Sequence, residues 1–268
     1  MKICEIIDEY ASDLLIGYLF YYEKDDVYSI ELNDAVPERD MPLFLSMFAK
    51  RKIYTLSPEW SRRWVESRVI PRDRQNIGMI LKNSGLKTYD AFKLLMIVGG
   101  RCSQDDCAVK PIRYEDIPGW AVERRKRKLD FAARIDSWKM LLTFRDGSVY
   151  KTDLEALSWS DPHVTSALAN PSMKKAYRLM AGGVGIMIGG AVVITAEELY
   201  GKGDRIPLTA NELKTAAKAY IMDTKDVCDE LHCSRQYVSQ LTKDNSLSVL
   251  KDSGTRLYAR SDVSKITE

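Results

Sequence analysis

The chain has 268 residues, of which 45% are hydrophobic and 29% are charged, a balance typical of a folded protein with two or three modest domains. The formal net charge is only +2, which excludes a global basic field, so any nucleic-acid contact must come from a local patch. The five cysteines are irregularly spaced, and the N-terminal residues lack an apolar stretch of signal-peptide length. Together these features predict a cytoplasmic protein without a disulfide framework.

Residues 1–123 are predicted to form a first domain, a hairpin followed by helices. Residues 3–13 fit a short helix. The runs IGYLFYY and VYSIEL, separated by EKDD, are aromatic and β-branched and therefore predict a β-hairpin. The proline-containing segment that follows is predicted to be irregular, with one helical turn around Phe44–Phe48.

Three helices are then predicted before residue 101. In the first, Ser57 is the expected cap and Pro58 occupies the first helical position. Pro71 is expected to open the second helix, which Gly85 ends, and Gly99–Gly100 ends the third.

The segment GRCSQDDCAVKPI places Cys102 and Cys107 on either side of two aspartates. A zinc site would need four ligands, and the two histidines of the chain lie far away in sequence. We therefore predict a tight turn with two small buried thiols and no metal site. The glycines of residues 182–185 do not follow the dinucleotide-binding pattern, so no cofactor is predicted either.

An unbroken basic run, Arg124 to Lys128, follows WAVE. It fits a solvated linker or the exposed start of a strand, and it fits a phosphate-contacting segment equally well. The pattern also changes here from helical to β, so residues 1–123 and 124–204 are predicted to fold around separate cores joined near residues 119–128.

Residues 124–204 are predicted to form a small α+β domain. LDFAARIDSWKMLLTFRDGSVYKTDL is typical of three strands joined by turns, Pro162 opens a short helix, and Gly189–Gly190 makes a hairpin. The apolar run of residues 179–194 is too short and too glycine-rich for a membrane span.

This domain resembles a small bacterial α+β family of unknown function. The matching pieces are turn and core residues, which imply a fold and offer no catalytic residue. They are LLTFRDG (residues 141–147), DL (153–154), LANP (168–171) and ITAEELY (194–200).

Residues 205–268 begin with a helix whose capping box is Thr209 with Glu212. Two further helices are predicted after it. Asp223 or Thr224 caps the first, His232 and Cys233 make a tight turn, and Ser234 caps the second. The expected inward residues of these two helices are Val227, Cys228, Leu231, Val238 and Leu241.

The second of these helices, residues 234–243, has the polar residues that reading base edges requires. Arg can bond guanine bidentately and Gln can bond adenine in the major groove. After it, LSVL and RLYA flank the turn KDSG and predict a two-stranded wing, with a last short helix capped by Ser261. The predicted DNA-binding residues are Ser234, Arg235, Gln236, Tyr237, Ser239, Gln240 and Lys243 on the helix and Lys251 and Arg256 on the wing.

These residues resemble the DNA-binding domain of the excisionase and MerR-like superfamily. The resemblance covers TKDVCDELHCSRQYV from Thr224 to Val238, then GTRLY and SDV, about the last fifth of the chain. His232 stands where that family usually has Gly, a position that His tolerates in the left-handed region. The resemblance implies a winged helix-turn-helix bound to double-stranded DNA.

The sequence therefore predicts an α+β, multi-domain, sequence-specific DNA-binding protein, a transcriptional regulator or a mobile-element accessory factor. The alternative is a protein-interaction component of a toxin–antitoxin or phage-related system, in which residues 1–204 bind a protein partner. No nucleophile with a base, metal cluster or phosphate loop is present, so we predict no enzyme activity. A homodimer is expected, because two-fold symmetry commonly doubles a small DNA contact.

Overall fold

A computed structural model describes residues 1–267, without the side chains of residues 174, 175, 265 and 267. The chain is a mixture of helices and antiparallel sheets, which confirms the α+β class. It divides into two compact units. The first unit comprises residues 1–146 and 150–205, and the second comprises residues 147–149 with residues 206 onward.

The first unit begins with an antiparallel sheet of four strands in the order β3-β2-β1-β4. The strands are β1 (Lys2–Asp8), β2 (Leu14–Tyr22), β3 (Val27–Leu32) and β4 (Cys107–Ile112). The predicted aromatic hairpin is confirmed as β2 and β3.

The short helix predicted for residues 3–13 is wrong, since β1 occupies this segment. Strand β1 lies between β2 and β4, and both faces of the sheet are covered. Ile3 packs in one hydrophobic cluster, whereas Cys4 and Ile6 pack in another. A strand that is buried on both faces has apolar residues at adjacent positions, without the alternation of a half-buried strand. Such a sequence can be mistaken for the apolar spacing of a helix.

Five helices complete the N-terminal half of this unit: α1 (Leu43–Ala49), α2 (Pro58–Glu66), α3 (Ile77–Asn83), α4 (Ala91–Ile97) and α5 (Gly119–Lys126). Helix α2 begins as predicted, because the Ser57 hydroxyl accepts the Trp60 N–H. The prediction that Pro71 opens the next helix is wrong, since α3 starts at Ile77. Residues 71–76 are exposed and polar, so packing gives them no reason to continue as a helix.

The segment around the first cysteine pair is a turn, as predicted. Of the two thiols predicted to be buried, Cys107 is buried at the start of β4, but the prediction is wrong for Cys102, which is half-buried beside the Arg68 guanidinium. Arg68 is itself buried and forms an ion pair with Asp105. Within residues 1–267 no group of three or more His, Cys, Asp or Glu side chains could hold a metal ion.

The remainder of the first unit contains two further antiparallel sheets. One has the order β11-β7-β6-β5 and the other has the order β10-β9-β8. The elements are β5 (Leu129–Asp136), β6 (Lys139–Phe144), β7 (Val149–Asp153), α6 (Pro162–Ala169), β8 (Tyr177–Leu179), β9 (Gly185–Ile188), β10 (Val192–Thr195), α7 (Ala196–Leu199) and β11 (Asp204–Ile206). The three strands after residue 128, the helix at Pro162 and the hairpin at Gly189–Gly190 agree with the sequence-based prediction.

The apolar run of residues 179–194 thus lies mostly in β9 and β10 and the turns beside them. No helix in the described part of the chain is long and apolar enough to cross a membrane.

A hydrophobic cluster joins the N-terminal sheet to the β-rich part of the first unit. It includes Phe20 and Tyr22 of β2, Ala121 of α5, and Met180 and Val184 of the later segment. The predicted domain boundary between residues 123 and 124 falls inside α5. Residues from both sides of that boundary pack together in this cluster. The segments before and after the boundary each have a further hydrophobic cluster of their own.

The basic run of residues 124–128 is neither a solvated linker nor an exposed strand start. Arg125 is buried, with its guanidinium 4.2 Å from the centre of the Phe20 ring. Lys128 is buried, and its ammonium lies 2.8 Å from the Glu31 carboxylate, which is completely enclosed. Burial removes Arg125 and Lys128 from phosphates, whereas Lys126 and Arg127 are exposed, so the phosphate-contacting alternative stays a prediction for those two only.

The second unit contains α8 (Ala210–Tyr220), β12 (Ile221–Asp223), α9 (Thr224–Glu230), α10 (Arg235–Lys243), β13 (Val249–Ser253), β14 (Thr255–Ala259) and α11 (Arg260–Thr267). The capping box of Thr209 with Glu212 is confirmed at the start of α8. Strand β12 adds a third strand to the predicted two-stranded wing, in the order β12-β14-β13. The last helix begins at Arg260, so the prediction that Ser261 caps it is wrong.

The buried ion pair of Glu31 gives a first testable prediction. Lys128→Ala should lower the free energy of unfolding by about 3 kcal/mol, the low end for a broken buried ion pair, since the enclosed Glu31 carboxylate keeps the Arg124 guanidinium at 3.8 Å and the Thr55 hydroxyl. Lys126→Ala, in the same basic run, removes an exposed lysine and should change stability by less than about 0.5 kcal/mol. Urea unfolding of both variants measures the difference, and equal losses would contradict it.

Candidate nucleic-acid interface

Helix α9 begins at a complete capping box. The Asp223 carboxylate accepts the backbone N–H groups of Lys225 and Asp226, at 2.7 and 2.9 Å. In return the Asp226 carboxylate accepts the N–H of Asp223 at 2.9 Å. Of the two caps that the sequence allows, Asp223 is therefore the one used, and it fixes the direction in which α9 leaves β12.

The chain reverses between α9 and α10 at a single left-handed residue. His232 has φ of 49°, and the N–H of Cys233 donates to the carbonyl oxygen of Cys228 at 3.0 Å. A hydrogen bond of this span around a left-handed residue is the Schellman ending of a helix. The predicted tight turn at His232–Cys233 is confirmed.

Helix α10 starts directly after this turn. The Ser234 hydroxyl accepts the N–H of Tyr237 at 3.3 Å, as expected of a cap. Val238 is completely buried and Leu241 partly buried, in a core that also contains Val227 and Tyr258. The apolar side of α10 thus faces α9 and the sheet, as predicted.

The opposite side of α10 carries the predicted base-reading residues. Arg235, Gln236 and Tyr237 are exposed in the first turn, and Tyr237 retains 48% of its accessible surface. Gln240 is exposed one turn further along, whereas Ser239 is half-buried at the edge of the core. Four of the five residues therefore present their side chains to solvent, and Ser239 does so only in part.

The β13–β14 hairpin turns more tightly than the sequence predicts. The turn lies at Gly254, with φ of 82°, and β13 continues through Ser253. The prediction of a four-residue turn, KDSG, is wrong because Lys251 and Asp252 pair with Leu257 and Arg256 across the hairpin.

The two wing cations differ in their surroundings. Lys251 is exposed on β13. Arg256 is half-buried, and its guanidinium lies 3.2 Å from the Asp252 carboxylate. Arg256 is therefore partly neutralised, and Lys251 is the freer of the two.

Charge is distributed unevenly within residues 206–268. This segment has nine Lys and Arg residues and nine Asp and Glu residues, so it is neutral as a whole. Between Ser234 and Arg260, however, five cations stand against two carboxylates, while α9 carries three of the acids. Among the described residues, Arg235, Lys243 and Lys251 have no carboxylate within ion-pairing distance. The segment that contains α10 and the hairpin is thus the basic part of this unit.

Two features of this unit were not predicted from the sequence. Asn245 ends α10 in the left-handed region, with φ of 57°, and the N–H of Ser246 donates to the Leu241 carbonyl. The sequence signal for this helix ending was an Asn shortly after the last residue with helical spacing. Arg260 donates to the Ala219 carbonyl and pairs with Glu230, both at 3.0 Å, and no local pattern indicates this long-range contact.

No protein-family model, no curated protein and no solved structure matches this chain. The resemblance to the excisionase and MerR-like superfamily therefore depends on the residues of the helices and hairpin alone.

The core of this unit gives a second prediction. Val238→Asp places an unpaired carboxylate where no solvent reaches, so it should destabilise the unit by about 3 kcal/mol or more. Gln240→Asp puts the same side chain on the exposed side of α10 and is the matched control. Amide hydrogen exchange should show lost protection in α10 and β14 for the first variant only. Retained protection in Val238→Asp would disprove this packing.

Proposed function

We propose that this chain is a sequence-specific DNA-binding protein that reads the major groove with α10. The observation that carries the proposal is the division of α10 into two sides. Val238 and Leu241 anchor one side in the core, and Arg235, Gln236 and Gln240 project from the other. In this proposal α9, α10 and the β13–β14 hairpin act as a winged helix-turn-helix of the excisionase and MerR-like kind.

The dimensions of the motif suit this role. The major groove is about 12 Å wide and admits one α-helix. Helix α10 has nine residues and is about 13 Å long, enough to span a few base pairs. Arg235 and Gln236 lie at its beginning, the part of a recognition helix that reaches base edges. Both side chains are types that bond bases bidentately.

The cations around α10 suit the DNA backbone. Lys243 lies at the end of the helix and Lys251 on the hairpin, both exposed and without an ion-pair partner in the described chain. Phosphate contacts of this kind set orientation and supply most of the affinity without reading sequence. We propose a binding role in transcription regulation or in a mobile element, rather than catalysis.

A protein partner for the first unit is a second candidate, favoured by a specific observation. Leu43 and Met47 lie one helical turn apart on α1 and keep 86% and 41% of their surface exposed. Neighbouring exposed apolar residues on a helix are a common feature of protein interfaces. This candidate is compatible with DNA binding by the second unit.

Base reading by α10 gives a third prediction. Arg235→Ala and Gln236→Ala should each reduce the preference for specific over scrambled DNA by about 1–3 kcal/mol and relax the preference at one base position. Binding titrations of the full-length variants at two salt concentrations measure this. A footprint of the same protein–DNA complexes shows whether the protein covers one or two half-sites, which tests the expected homodimer.

The control is Lys214→Ala, since Lys214 is an exposed residue of α8 outside the proposed interface. It should leave the preference unchanged. If Arg235→Ala keeps full specificity while amide exchange shows α10 intact, this helix does not read bases, and the second unit is better regarded as a protein-interaction module.

Phosphate contact gives a fourth prediction. Lys251→Ala should weaken binding to specific and scrambled DNA by similar factors, and it should reduce the slope of log affinity against log salt by about one. Arg256→Ala should have a smaller effect on that slope, because Asp252 already neutralises part of its charge. A change in base preference for Lys251→Ala would count against a pure phosphate role.

A further inference from the structure

Two thiols meet across the turn that joins α9 and α10. Cys228 lies in the last turn of α9, and Cys233 follows the left-handed His232. The backbone N–H of Cys233 donates to the Cys228 carbonyl at 3.0 Å. This ending of a helix commonly brings the side chains of its two hydrogen-bonded residues into contact, usually as a hydrophobic pair. Here both side chains are cysteines.

The two cysteines pack against the edge of the same hydrophobic cluster. Burial raises the pKa of the Cys233 thiol, and the neighbouring Cys228 thiol raises it further. The raised pKa keeps that thiol protonated near neutral pH, so the pair rests as two thiols. Both residues are half-buried at the edge of the core, which leaves them accessible to a small oxidant.

The chain contains a second cysteine pair with the same spacing and different surroundings. Cys102 and Cys107 are also five residues apart, but Cys107 is completely buried in β4. The Cys102 sulfur lies 3.5 Å from the Arg68 guanidinium. The two pairs thus share a spacing but differ in surroundings, and only Cys228 and Cys233 are joined by the backbone hydrogen bond of a helix ending.

We propose that Cys228 and Cys233 form a reversible intramolecular disulfide when a hydroperoxide oxidises them. One sulfur attacks a peroxide oxygen, the O–O bond breaks, and a sulfenic acid and one water form. The other sulfur then displaces the sulfenic oxygen as a second water and completes the S–S bond. Two thiols give up two electrons and two protons, and hydrogen peroxide is reduced to two waters. A dithiol reductant reverses the reaction.

The disulfide acts on α10 because Cys233 directly precedes the Ser234 cap. The two sulfurs must approach to about 2.05 Å to bond. This shortening draws the beginning of α10 toward α9, and Arg235 and Gln236 move with it. Base-edge hydrogen bonds depend on placement within a fraction of an ångström, so oxidation lowers sequence preference. This consequence rests on the proposed function, whereas the disulfide itself does not.

The chemical test uses the full-length protein, hydrogen peroxide and tryptic peptide mapping. Trypsin cuts after Lys225 and Arg235, so residues 226–235 form one peptide that contains both thiols. Residues 102–113 form a second peptide with the other pair, because Pro111 blocks cleavage after Lys110. Oxidation should make the first peptide lighter by two hydrogen atoms and leave the control peptide unchanged. Oxidation of both peptides alike, or of neither, overturns the proposal.

The functional test compares reduced and oxidised protein in DNA titrations and in amide exchange. Oxidised wild type should lose roughly tenfold of its preference for specific DNA, and a dithiol should restore it. Cys233→Ser should be insensitive to peroxide, while Cys102→Ser should respond like wild type.

Two outcomes separate the disulfide from the proposed function. If the mapped disulfide forms and both the preference and the exchange of the α10 amides stay unchanged, the switch is overturned. If no form binds DNA specifically, the proposed function fails. In that case, a change in the hydrogen exchange of the α10 amides on oxidation still supports the proposal that the disulfide moves α10. Unchanged amide exchange overturns it.

Discussion

One backbone reversal, at His232, determines the arrangement of the second unit. The left-handed residue ends α9 and returns the chain so that α10 packs on the same core through Val238. It also places the Ser234 cap, and with it the rotation of α10 about its axis. A cap displaced by one residue would turn the helix by about 100° and bring Arg235 or Gln236 toward the core. The proposed reading of bases thus depends on a dihedral angle that only a few residue types accept.

Burial separates cations that hold the fold together from cations that can meet a partner. Lys128 and Arg125 lie in the most basic run of the chain, yet both are enclosed, one against Glu31 and the other against an aromatic ring. Arg235 and Lys251 are isolated in sequence and remain exposed. A local excess of positive charge in a sequence is therefore a poor guide to a nucleic-acid surface. What matters is whether the fold encloses the cation, against a carboxylate or an aromatic ring, or leaves it exposed.

The two cysteine pairs show the same dependence on surroundings. Both have four intervening residues, but only Cys228 and Cys233 lie on either side of a left-handed helix ending, whereas Cys102 and Cys107 both come after one, at Gly99–Gly100. That turn connects thiol chemistry to the position of α10, because the second thiol lies next to the helix cap. A covalent change at the turn can reach the proposed DNA-reading residues without crossing the core.

Much of the local structure was determined by the sequence itself. Caps and turns are short-range interactions, so Ser57, Asp223, Ser234 and the Thr209–Glu212 box could be identified from residue type and spacing. Aromatic and β-branched runs separated by turn residues likewise predicted the hairpins, and apolar residues at helical spacing predicted the two sides of α10. For the same reason the proposed DNA-binding residues could be chosen before the fold was known.

Only the tertiary structure decided the long-range relations. The strand β1 could not be recognised, because its two faces pack in different hydrophobic clusters and its partner β4 comes about a hundred residues later. The third strand β12, the tight turn at Gly254 and the partner of Lys128 likewise depend on residues distant in sequence or on cross-strand pairing. Local patterns record what a segment does by itself, whereas burial depends on which segments come together, and that is decided by the whole chain.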